Sequence, residues 1–529
     1  MSTLLGSHTE ARRAGRIVQG HELTESQAIE AEVCVIGSGC GGATVARQLA
    51  MAGHDVVVLE RGGYYPESSF DQREINMNAK LSADRSMRAS ADGGTLLLSG
   101  QNVGGASVHY WADSYRTPED RLQLWAERYG VEGHDLARLT PAWDELTGTL
   151  NVHPATEDYH NRMNQLLRSG AQQLGWEGHA VPQARKGCVK SGHCMQGCVY
   201  RAKQSQLVTH IPQAIDHGAR VYADVEAAEL LRERGQVRAL RARVIDRARN
   251  QPSGVELTVR ARAFVLAAGG YYSAPFLLRQ GLQKQLPMLG RNFGMNPTAM
   301  VHGLYDEDIV LWRNIPAAFG VEQFRLARYD AAGAYVEGGY LLMANQIQPG
   351  LLGSMMPLMG DALGEWMAQM PRIGGTIAWI DDPADELGEL QLARDGTPKV
   401  VYPYGPKTQA ILRDTIRKQA QLQFAVGARR LLVAGADALQ LDSTADLPKI
   451  DRLPIRAGGL FMAAPHPSGG CIMGRSARDS VTGPSHRVHG FDNLFVADSS
   501  VFPTPVSVDP SFTIMAFSYV AAEHIRQML

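Results

Sequence analysis

The sequence predicts a mixed α/β fold with two structural units, and three observations carry this prediction. The chain has 529 residues, which is too long for one compact core. Residues 31–60 contain two short apolar runs joined by a run with helical spacing, a pattern typical of parallel strands connected by a helix. Residues 334–345 and 374–382 alternate apolar and polar positions, and they predict strands of a second sheet.

Composition and charge exclude several classes of protein. Hydrophobic residues make up 44 % and charged residues 20 %, as is ordinary for a soluble globular protein, and the net charge of −2 points to neither nucleic acid nor an anionic membrane. No apolar run reaches the ~18 residues that a spanning helix needs. No apolar segment follows Arg12 and Arg13, as a secretion signal would require. We therefore expect a polar N-terminal arm over residues 1–30, no membrane span and a cytoplasmic protein.

The first apolar run ends in a glycine-rich turn that predicts a dinucleotide site. Gly37 permits a tight turn, Gly39 lets the backbone approach a pyrophosphate, and Gly42 lets the following helix pack closely on the strand. The second strand ends in Glu60, which is placed to bind ribose hydroxyls. Strand, turn, helix, strand and acid come in order, so the pattern is specific. The acid favours FAD or NAD over NADP.

Three later segments decide between FAD and NAD. Residues 100–118, 264–278 and 494–516 resemble the signatures of the glucose–methanol–choline (GMC) family, in which a glycine pair lies against the flavin. The resemblance implies that FAD is the cofactor. It implies contacts to FAD from the glycine loop and from Cys40, Arg61, Gly104, Gly105, Ser107, His109, Tyr110, Val225, Asp498 and Pro510.

The resemblance also implies the domain organisation. A Rossmann-like, doubly wound FAD-binding domain would be assembled from residues 31–299 and 456–529. An α+β substrate domain with an antiparallel sheet would be inserted between them, mostly from residues 300–455. A cysteine-rich segment, residues 186–205, would belong to the FAD-binding part.

Two residues are predicted to form a catalytic pair. Oxidation of an alcohol by flavin needs a base for the hydroxyl proton, and histidine suits that role near neutral pH. Residues 465–474 resemble the family's HxxGTxxMG stretch, which implies that His466 is the base, although Gly470 replaces the usual threonine. Asp509 stands where the family usually has asparagine or histidine. An ionised Asp509 would pair with His466, whereas a protonated Asp509 could donate to the substrate oxygen. Two further alternatives are that Asp509 recognises a cationic or polyol substrate, or that the reaction is no longer alcohol oxidation.

Three cysteines fall within eleven residues at the spacing C-x5-C-x3-C, namely Cys188, Cys194 and Cys198. Thiolates at such spacings can bind a metal centre. Zinc with His193 as a further ligand, a disulfide with one free thiol, and unligated thiols remain alternatives. The spacing resembles the segment that binds a [3Fe–4S] cluster in the catalytic subunit of bacterial FAD-dependent glucose dehydrogenases, which implies such a cluster here.

The expected function is that of an FAD-dependent alcohol dehydrogenase that passes electrons through the cluster to a protein or quinone. We expect a small-molecule alcohol substrate, an acceptor such as a cytochrome, and a small accessory subunit that could carry the chain to the periplasm. The alternatives are an oxygen-using oxidase with structural cysteines, a lyase on the same fold, and a binding subunit that has lost catalysis.

Overall fold

A parallel sheet forms one half of the fold. The computed structural model describes residues 15–435 and 438–529, and six parallel strands of this part form the sheet. The predicted strand–helix–strand unit is present as Val33–Ile36, Cys40–Met51 and Val56–Glu60. Every residue of its two strands is buried, which explains their uninterrupted apolar character. Across the sheet the strands lie in the order Ile17–Gln19, Arg220–Ala223, Val56–Glu60, Val33–Ile36, Ala263–Leu266 and Leu494–Val496.

The two ends of the chain meet on this sheet. Helix Cys40–Met51 packs against the C-terminal helix Ser511–Met528 and against His210–Asp216. Ser511–Met528 also packs on Leu136–Leu150. The FAD-binding unit is therefore built from segments far apart in sequence, as a doubly wound domain with insertions requires.

A second, four-stranded sheet lies beside the first. Val225–Glu233, Gln236–Asp246 and Gln251–Arg260 form an antiparallel meander, and Gln27–Glu30 joins it in parallel. This arrangement corrects the prediction of a polar arm for the part of residues 1–30 that is described. Residues 17–19 and 27–30 form strands that each bury an isoleucine, Ile17 and Ile29. Gln19 is buried as well, whereas Gln27, Ala28 and Glu30 are exposed. Residues 1–14 lie outside the described residues.

The second unit is an antiparallel sheet backed by helix Pro406–Ala425, which also packs on Arg162–Leu174. Strand Met462–Ala464 pairs antiparallel with the start of Thr298–Leu304 and parallel with Thr95–Leu97. The sheet therefore draws strands from outside residues 300–455. Its main path runs through Leu439–Leu441, Arg430–Val433, Thr298–Leu304, Ile373–Ile380, Tyr340–Ala344, Phe319–Val321 and Gly178–Ala180.

Shorter elements complete the described chain. The remaining α-helices are Glu74–Leu81, Glu119–Leu124, Ser273–Arg279, Pro349–Met355 and Gly360–Met367. Three two-stranded ribbons pair Val152–Pro154 with Pro182–Ala184, Arg328–Tyr329 with Tyr335–Glu337, and Glu389–Leu392 with Pro398–Val401. Among residues 15–435 and 438–529, we find no helix that combines the length and the apolar character needed to cross a membrane.

Candidate functional site

A long cleft runs along the carboxyl ends of the parallel strands. Its empty volume, including the open mouth, is about 1290 Å³. Ligands of doubly wound folds bind at this edge of the sheet. The residues proposed above for FAD or catalysis that line the cleft are Gly37, Gly39, Cys40, Glu60, Arg61, Gly105, Val225, His466, Asp498 and Pro510.

Three glycines of the loop, Gly37, Gly39 and Gly41, line the cleft together with Ser38 and Cys40. A Cβ on Gly42 would lie 2.0 Å from the carbonyl oxygen of Gly37, so only glycine allows the helix to start this close to the strand. Gly105, with a φ of +60°, brings the first GMC-like segment against the loop: a Cβ there would lie 2.7 Å from the Cα of Gly39. The two loops thus form a backbone-lined cradle of the kind that a pyrophosphate or a flavin needs.

Glu60 is held in one orientation by three donors. Its Oε2 accepts from the backbone N–H of Ser38 at 3.0 Å and from the Ser38 hydroxyl at 2.7 Å. Its Oε1 accepts from the N–H of Gly62 at 2.8 Å. Burial raises the pKa of Glu60, and these hydrogen bonds oppose that shift. Ser38 also accepts from the N–H of Gly104 at 3.0 Å, so it joins the acid, the glycine loop and the first GMC-like segment.

Asp498 joins the other two GMC-like segments at the wall of the cleft. One carboxylate oxygen accepts from the N–H of Gly269 at 2.8 Å and from the Ser273 hydroxyl at 2.5 Å. The other accepts from the N–H of Ser500 at 2.9 Å. The carboxylate therefore fixes the turn before helix Ser273–Arg279 relative to the C-terminal segment.

Four residues of the first GMC-like segment do not line the cleft. Gly104 lies behind Gly105. The hydroxyl of Ser107 donates to the carbonyl of Gly104 at 2.6 Å and accepts from the N–H of Gln206 at 2.9 Å. The Nε2 of His109 and the hydroxyl of Tyr110 are buried, and neither atom has a hydrogen-bond partner among the described residues. Burial, with a smaller effect of Lys203, lowers the pKa of His109 to about 3, so this imidazole is neutral.

His466 lies at the wall of the cleft between two polar partners. It follows strand Met462–Ala464, whose pairing with Thr298–Leu304 brings it beside Asn296. Its Nε2 lies 3.3 Å from Oδ1 of Asp509, and its Nδ1 lies 2.7 Å from Oδ1 of Asn296. Its ring also packs on Trp379, with 5.0 Å between the ring centroids. The structure thus brings together the two residues predicted as the catalytic pair.

Asn296 determines which nitrogen of His466 carries the proton. The amide nitrogen of Asn296 donates to the carbonyl of Ile380, which leaves its Oδ1 as the atom that faces the histidine. An oxygen can only accept, so Nδ1 of His466 is the protonated nitrogen. The lone pair of the neutral ring is then on Nε2, on the side of Asp509. Sequence reasoning missed Asn296 because it belongs to no motif and reaches the site only through the sheet.

Replacing Asn296 by alanine tests this tautomer assignment. Without the acceptor, Nδ1–H loses its partner and the ring can reorient. A lost buried hydrogen bond of about 1–3 kcal/mol corresponds to roughly a tenfold to hundredfold slower reduction of bound FAD by an alcohol substrate. Stopped-flow absorbance of the flavin measures this rate. An unchanged rate in N296A with FAD fully bound would show that Asn296 does not orient the base.

The three cysteines of the 186–205 segment line one small cavity. Cys188, Cys194 and Cys198 meet there with Arg185 and Lys203. All six cysteines of the chain are free thiols, so the disulfide alternative is not realised. Within the described residues, no group of three or more His, Cys, Asp or Glu side chains is arranged to hold a metal ion. The three cysteines line one cavity, but within the described residues their side chains are not arranged as a metal site.

Two buried cations surround these thiols. Lys203 is 2 % exposed and donates to the carbonyls of Val108 (2.7 Å), Tyr110 (2.9 Å) and Cys194 (2.5 Å). Arg185, also buried, donates to the Sγ of Cys194 at 3.6 Å and to the carbonyl of Trp111 at 2.9 Å. Burial lowers the pKa of Lys203 to about 8. Buried cations whose hydrogen-bond partners are neutral favour an anion in the cavity between them.

The cleft, the cradle of glycines and the oriented histidine define the class of the protein as a nucleotide-dependent oxidoreductase. Residues 32–298 and 385–518 match the N-terminal and C-terminal family models described as GMC oxidoreductase. These ranges cover more than half of the chain. The chain belongs to the GMC oxidoreductase family.

Relatives of known and unknown activity are similar in sequence to this chain over most of its length. An uncharacterized GMC-type oxidoreductase of Mycobacterium tuberculosis is 30 % identical over 93 % of this chain and 75 % of its own length. A long-chain-alcohol oxidase of Arabidopsis thaliana is 25 % identical over 95 % of this chain and 68 % of its own.

Solved structures of two oxidases have the same fold. Pyridoxine 4-oxidase from Mesorbium loti superposes with a TM-score of 0.69 at 16 % identity, covering 94 % of this chain and 99 % of that chain. A formate oxidase of Aspergillus oryzae superposes with a TM-score of 0.70 at 14 % identity, covering 94 % and 98 %. At these identities the likeness concerns the fold alone.

Proposed function

We propose that this protein oxidises an alcohol to a carbonyl compound, with His466 as the base that takes the hydroxyl proton. The observation that carries the proposal is the position of His466 at the wall of the cleft, where its Nδ1 lies 2.7 Å from Oδ1 of Asn296 and its Nε2 lies 3.3 Å from Oδ1 of Asp509. FAD, when bound, supplies the acceptor for the hydride that leaves the alcohol carbon. An oriented neutral imidazole is the group that general-base catalysis at neutral pH requires.

Asp509 supports the protonated form of this base. Its Oδ1 lies 3.3 Å from Nε2, where a negative charge stabilises the imidazolium that forms when the hydroxyl proton arrives. The side chain of His466 is 17 % exposed and that of Asp509 is 9 % exposed, so water screens this interaction only weakly. The proposed order is therefore binding of the hydroxyl at Nε2, proton transfer to Nε2, and retention of that proton beside Asp509.

We further propose that the enzyme is a dehydrogenase, with Cys188, Cys194 and Cys198 holding a [3Fe–4S] cluster. Such a cluster would supply one-electron transfer to an external acceptor. Burial raises the pKa of the Cys188 thiol, so a free thiol there would stay protonated, whereas binding to iron would remove the proton. The two buried cations support the proposal because a thiolate-bound cluster is anionic.

The surface beside the cysteines fits an acceptor protein. Val189 and Tyr200 both line the cysteine cavity, and they are 55 % and 52 % exposed. Exposed apolar side chains at the opening of a redox site are typical of a transient contact with an electron-transfer partner. We propose a cytochrome as this partner, with a quinone as the alternative acceptor, and a small accessory subunit that could carry the chain to the periplasm.

An oxygen-using alcohol oxidase is the second candidate. It is favoured by the names of the relatives, which include long-chain-alcohol oxidases and a 6'''-hydroxyparomomycin C oxidase. In that case the three thiols would be structural, and oxygen would take the electrons directly.

One experiment tests the reaction and separates the two candidates. The FAD-loaded protein is mixed without oxygen with 1-decanol, benzyl alcohol and D-glucose in turn, and bleaching of the flavin is recorded. Bleaching by one alcohol, followed by fast dye reduction and little hydrogen peroxide in air, is the expected result. Stoichiometric peroxide would identify an oxidase. Failure of these and further alcohols to bleach the flavin would contradict alcohol oxidation and favour a lyase.

A further inference from the structure

Trp379 is a buried aromatic residue of the second sheet whose indole N–H has no partner. The residue is 9 % exposed, and its Nε1 is closed to solvent without a hydrogen bond to any described residue. An indole N–H can only donate, and a buried donor that forms no bond has given up its hydrogen bond to water without replacement. Nearly all buried polar groups of native proteins are paired, so an unpaired donor beside a catalytic base calls for a partner from outside the protein.

The fold fixes the position of this indole. Trp379 lies in a strand of the second sheet that is paired on both sides, with Thr298 opposite it on one neighbour and Leu341 on the other. Its ring contacts the imidazole of His466, with 5.0 Å between the ring centroids and 58° between the ring planes. The ring of Trp111 lies on it as well, at a centroid distance of 6.0 Å. An indole held at its backbone and packed against two rings has little freedom to turn its N–H toward another group of the protein.

Two other side chains contact His466 through polar atoms, and both present oxygen to it. Oδ1 of Asp509 lies 3.3 Å from Nε2, and Oδ1 of Asn296 lies 2.7 Å from Nδ1. The oxygens of a carboxylate and of an amide accept hydrogen bonds and do not donate them. Oδ2 of Asp509 is also buried, and it has no partner among the described residues. The side chains around His466 therefore carry one unpaired acceptor, on Asp509, and one unpaired donor, on Trp379.

The proposed reaction needs a donor beside the base. His466 takes the hydroxyl proton at Nε2, so the oxygen of the alcohol must lie within hydrogen-bond reach of that nitrogen. Negative charge develops on this oxygen as its proton leaves. A preorganised N–H binds the oxygen more tightly as the charge grows, and the gain is largest where water is excluded. Among the side chains described above as contacts of His466, Trp379 has an N–H with no other bond to make.

We propose that Trp379 is a further catalytic residue, whose indole N–H donates a hydrogen bond to the oxygen of the alcohol while His466 removes the hydroxyl proton. That proton moves to Nε2 of His466, the hydrogen on the carbinol carbon leaves with its electron pair for FAD, and the indole keeps its own proton. The same N–H then holds the oxygen of the carbonyl product. The proposal rests on the proposed oxidation of an alcohol and names the group that binds the reacting oxygen.

The first test compares W379F with the unaltered protein in anaerobic stopped-flow reduction of bound FAD, using whichever of 1-decanol, benzyl alcohol and D-glucose bleaches the flavin. Phenylalanine keeps an aromatic ring against His466 and removes the N–H. The limiting rate should fall about tenfold to hundredfold, the equivalent of one hydrogen bond to a charged group. The alcohol concentration that gives half of this rate should change less than about threefold, because the bond strengthens mainly in the transition state.

A conservative variant and a matched control accompany W379F. W379H restores an N–H donor on a smaller ring, and it should reduce FAD at least about threefold faster than W379F. W366F removes the indole N–H of another buried tryptophan, 4 % exposed, in helix Gly360–Met367. It should reduce FAD at the unaltered rate.

The second test follows the indole proton itself and needs no turnover. The protein has seven tryptophans, so labelling with [15N]tryptophan gives at most seven indole signals in an NMR spectrum, and the signal missing from W379F belongs to Trp379. The carbonyl compound formed from the active alcohol, such as benzaldehyde from benzyl alcohol, is added to the oxidised protein. The signal of Trp379 should move downfield as its N–H gains an acceptor. If W379F does not fold, the measurement is whether any indole signal of the unaltered protein moves downfield.

Three results would overturn the proposal. The first is reduction of FAD by W379F at the unaltered rate with full flavin occupancy, and the second is a rate in W379H no higher than in W379F. The third is an indole spectrum that saturating carbonyl compound leaves unchanged. In each case the unaltered protein still oxidises the alcohol, so the proposed function stands. If no alcohol bleaches the flavin of the unaltered protein, the proposed function fails and this inference fails with it.

Discussion

Replacing His466 by alanine is expected to slow the reduction of bound FAD by about a hundredfold to ten-thousandfold, the usual contribution of a positioned general base. The cause is the loss of the Nε2 lone pair that faces Asp509 at the wall of the cleft. FAD should stay bound, because the cradle is made by backbone of the glycine loop and of Gly105 and does not involve the imidazole. Anaerobic stopped-flow absorbance gives the rate, and the flavin-to-protein absorbance ratio gives the occupancy.

A matched control separates this effect from a general loss of structure. His217 is exposed, and its Nδ1 lies 2.9 Å from the carbonyl of Gln213 in the preceding helix, so H217A should reduce FAD at the rate of the unaltered protein. If H466A reduced its flavin at an unchanged rate with the true substrate, His466 would not be the base. The oriented Nε2 would then need another role.

Replacing Cys194 by serine is expected to abolish the iron content of the protein and its electron transfer to a one-electron acceptor. The Sγ of Cys194 accepts a hydrogen bond from Arg185 at 3.6 Å, and the backbone carbonyl of the same residue accepts one from Lys203 at 2.5 Å. Cys194 therefore contacts both buried cations. A serine hydroxyl is a poor ligand for iron at neutral pH. Iron analysis and the rate of ferricyanide reduction under argon measure the two losses. Reduction of FAD by the alcohol should be much less affected.

The control for this prediction is C34S, which alters a fully buried thiol in strand Val33–Ile36 outside the cysteine cavity. It should keep its iron. The same iron content in C194S and C34S would contradict a cysteine-bound cluster, and so would the absence of iron from the unaltered protein. In either case the free thiols would be structural, and the result would favour the oxygen-using alcohol oxidase over the dehydrogenase.

Much of the fold could be predicted because its strands are long enough to show a pattern. The run from Val33 to Glu60 carries both the apolar strands and the glycines that join them. Residues 373–380 form one strand as predicted, whereas the strand predicted over 334–345 is split into Tyr335–Glu337 and Tyr340–Ala344, which belong to different sheets. Tyr340–Ala344 and Ile373–Ile380 are buried at every position, so the expected alternation of buried and exposed residues is absent from both. Strands of three residues, such as Thr95–Leu97, Gly178–Ala180 and Met462–Ala464, are too short to show a periodicity. Their place in the antiparallel sheet follows only from tertiary pairing.

A site residue could be predicted from the sequence where it belongs to a recognisable motif. It could not be predicted where only the tertiary structure brings it to the site. His466 and Asp509 come from recognisable segments, and they meet as expected. Asn296 comes from a segment with no motif, and sheet pairing brings it to the same place. Nor could the sequence tell which side chains of a motif face inward, since that depends on the local turn. Ser107 forms its hydrogen bonds within the protein, and Gly104 lies behind Gly105.

The second sheet also supplies a contact to His466 that no motif marks. Trp379, in strand Ile373–Ile380, packs on His466 with 5.0 Å and on Trp111 with 6.0 Å between ring centroids, so the sheet presents an aromatic side chain to the histidine. No local spacing announces such a contact.

The most direct test of the account is an electron paramagnetic resonance spectrum of the protein purified without oxygen and without added reductant. An oxidised three-iron cluster is paramagnetic, whereas oxidised flavin, zinc and free thiols give no signal. The account predicts a signal equivalent to about one cluster per chain, carried by Cys188, Cys194 and Cys198. A silent spectrum from iron-free protein with full flavin occupancy would contradict it, and would leave an enzyme that passes electrons from flavin directly to its acceptor.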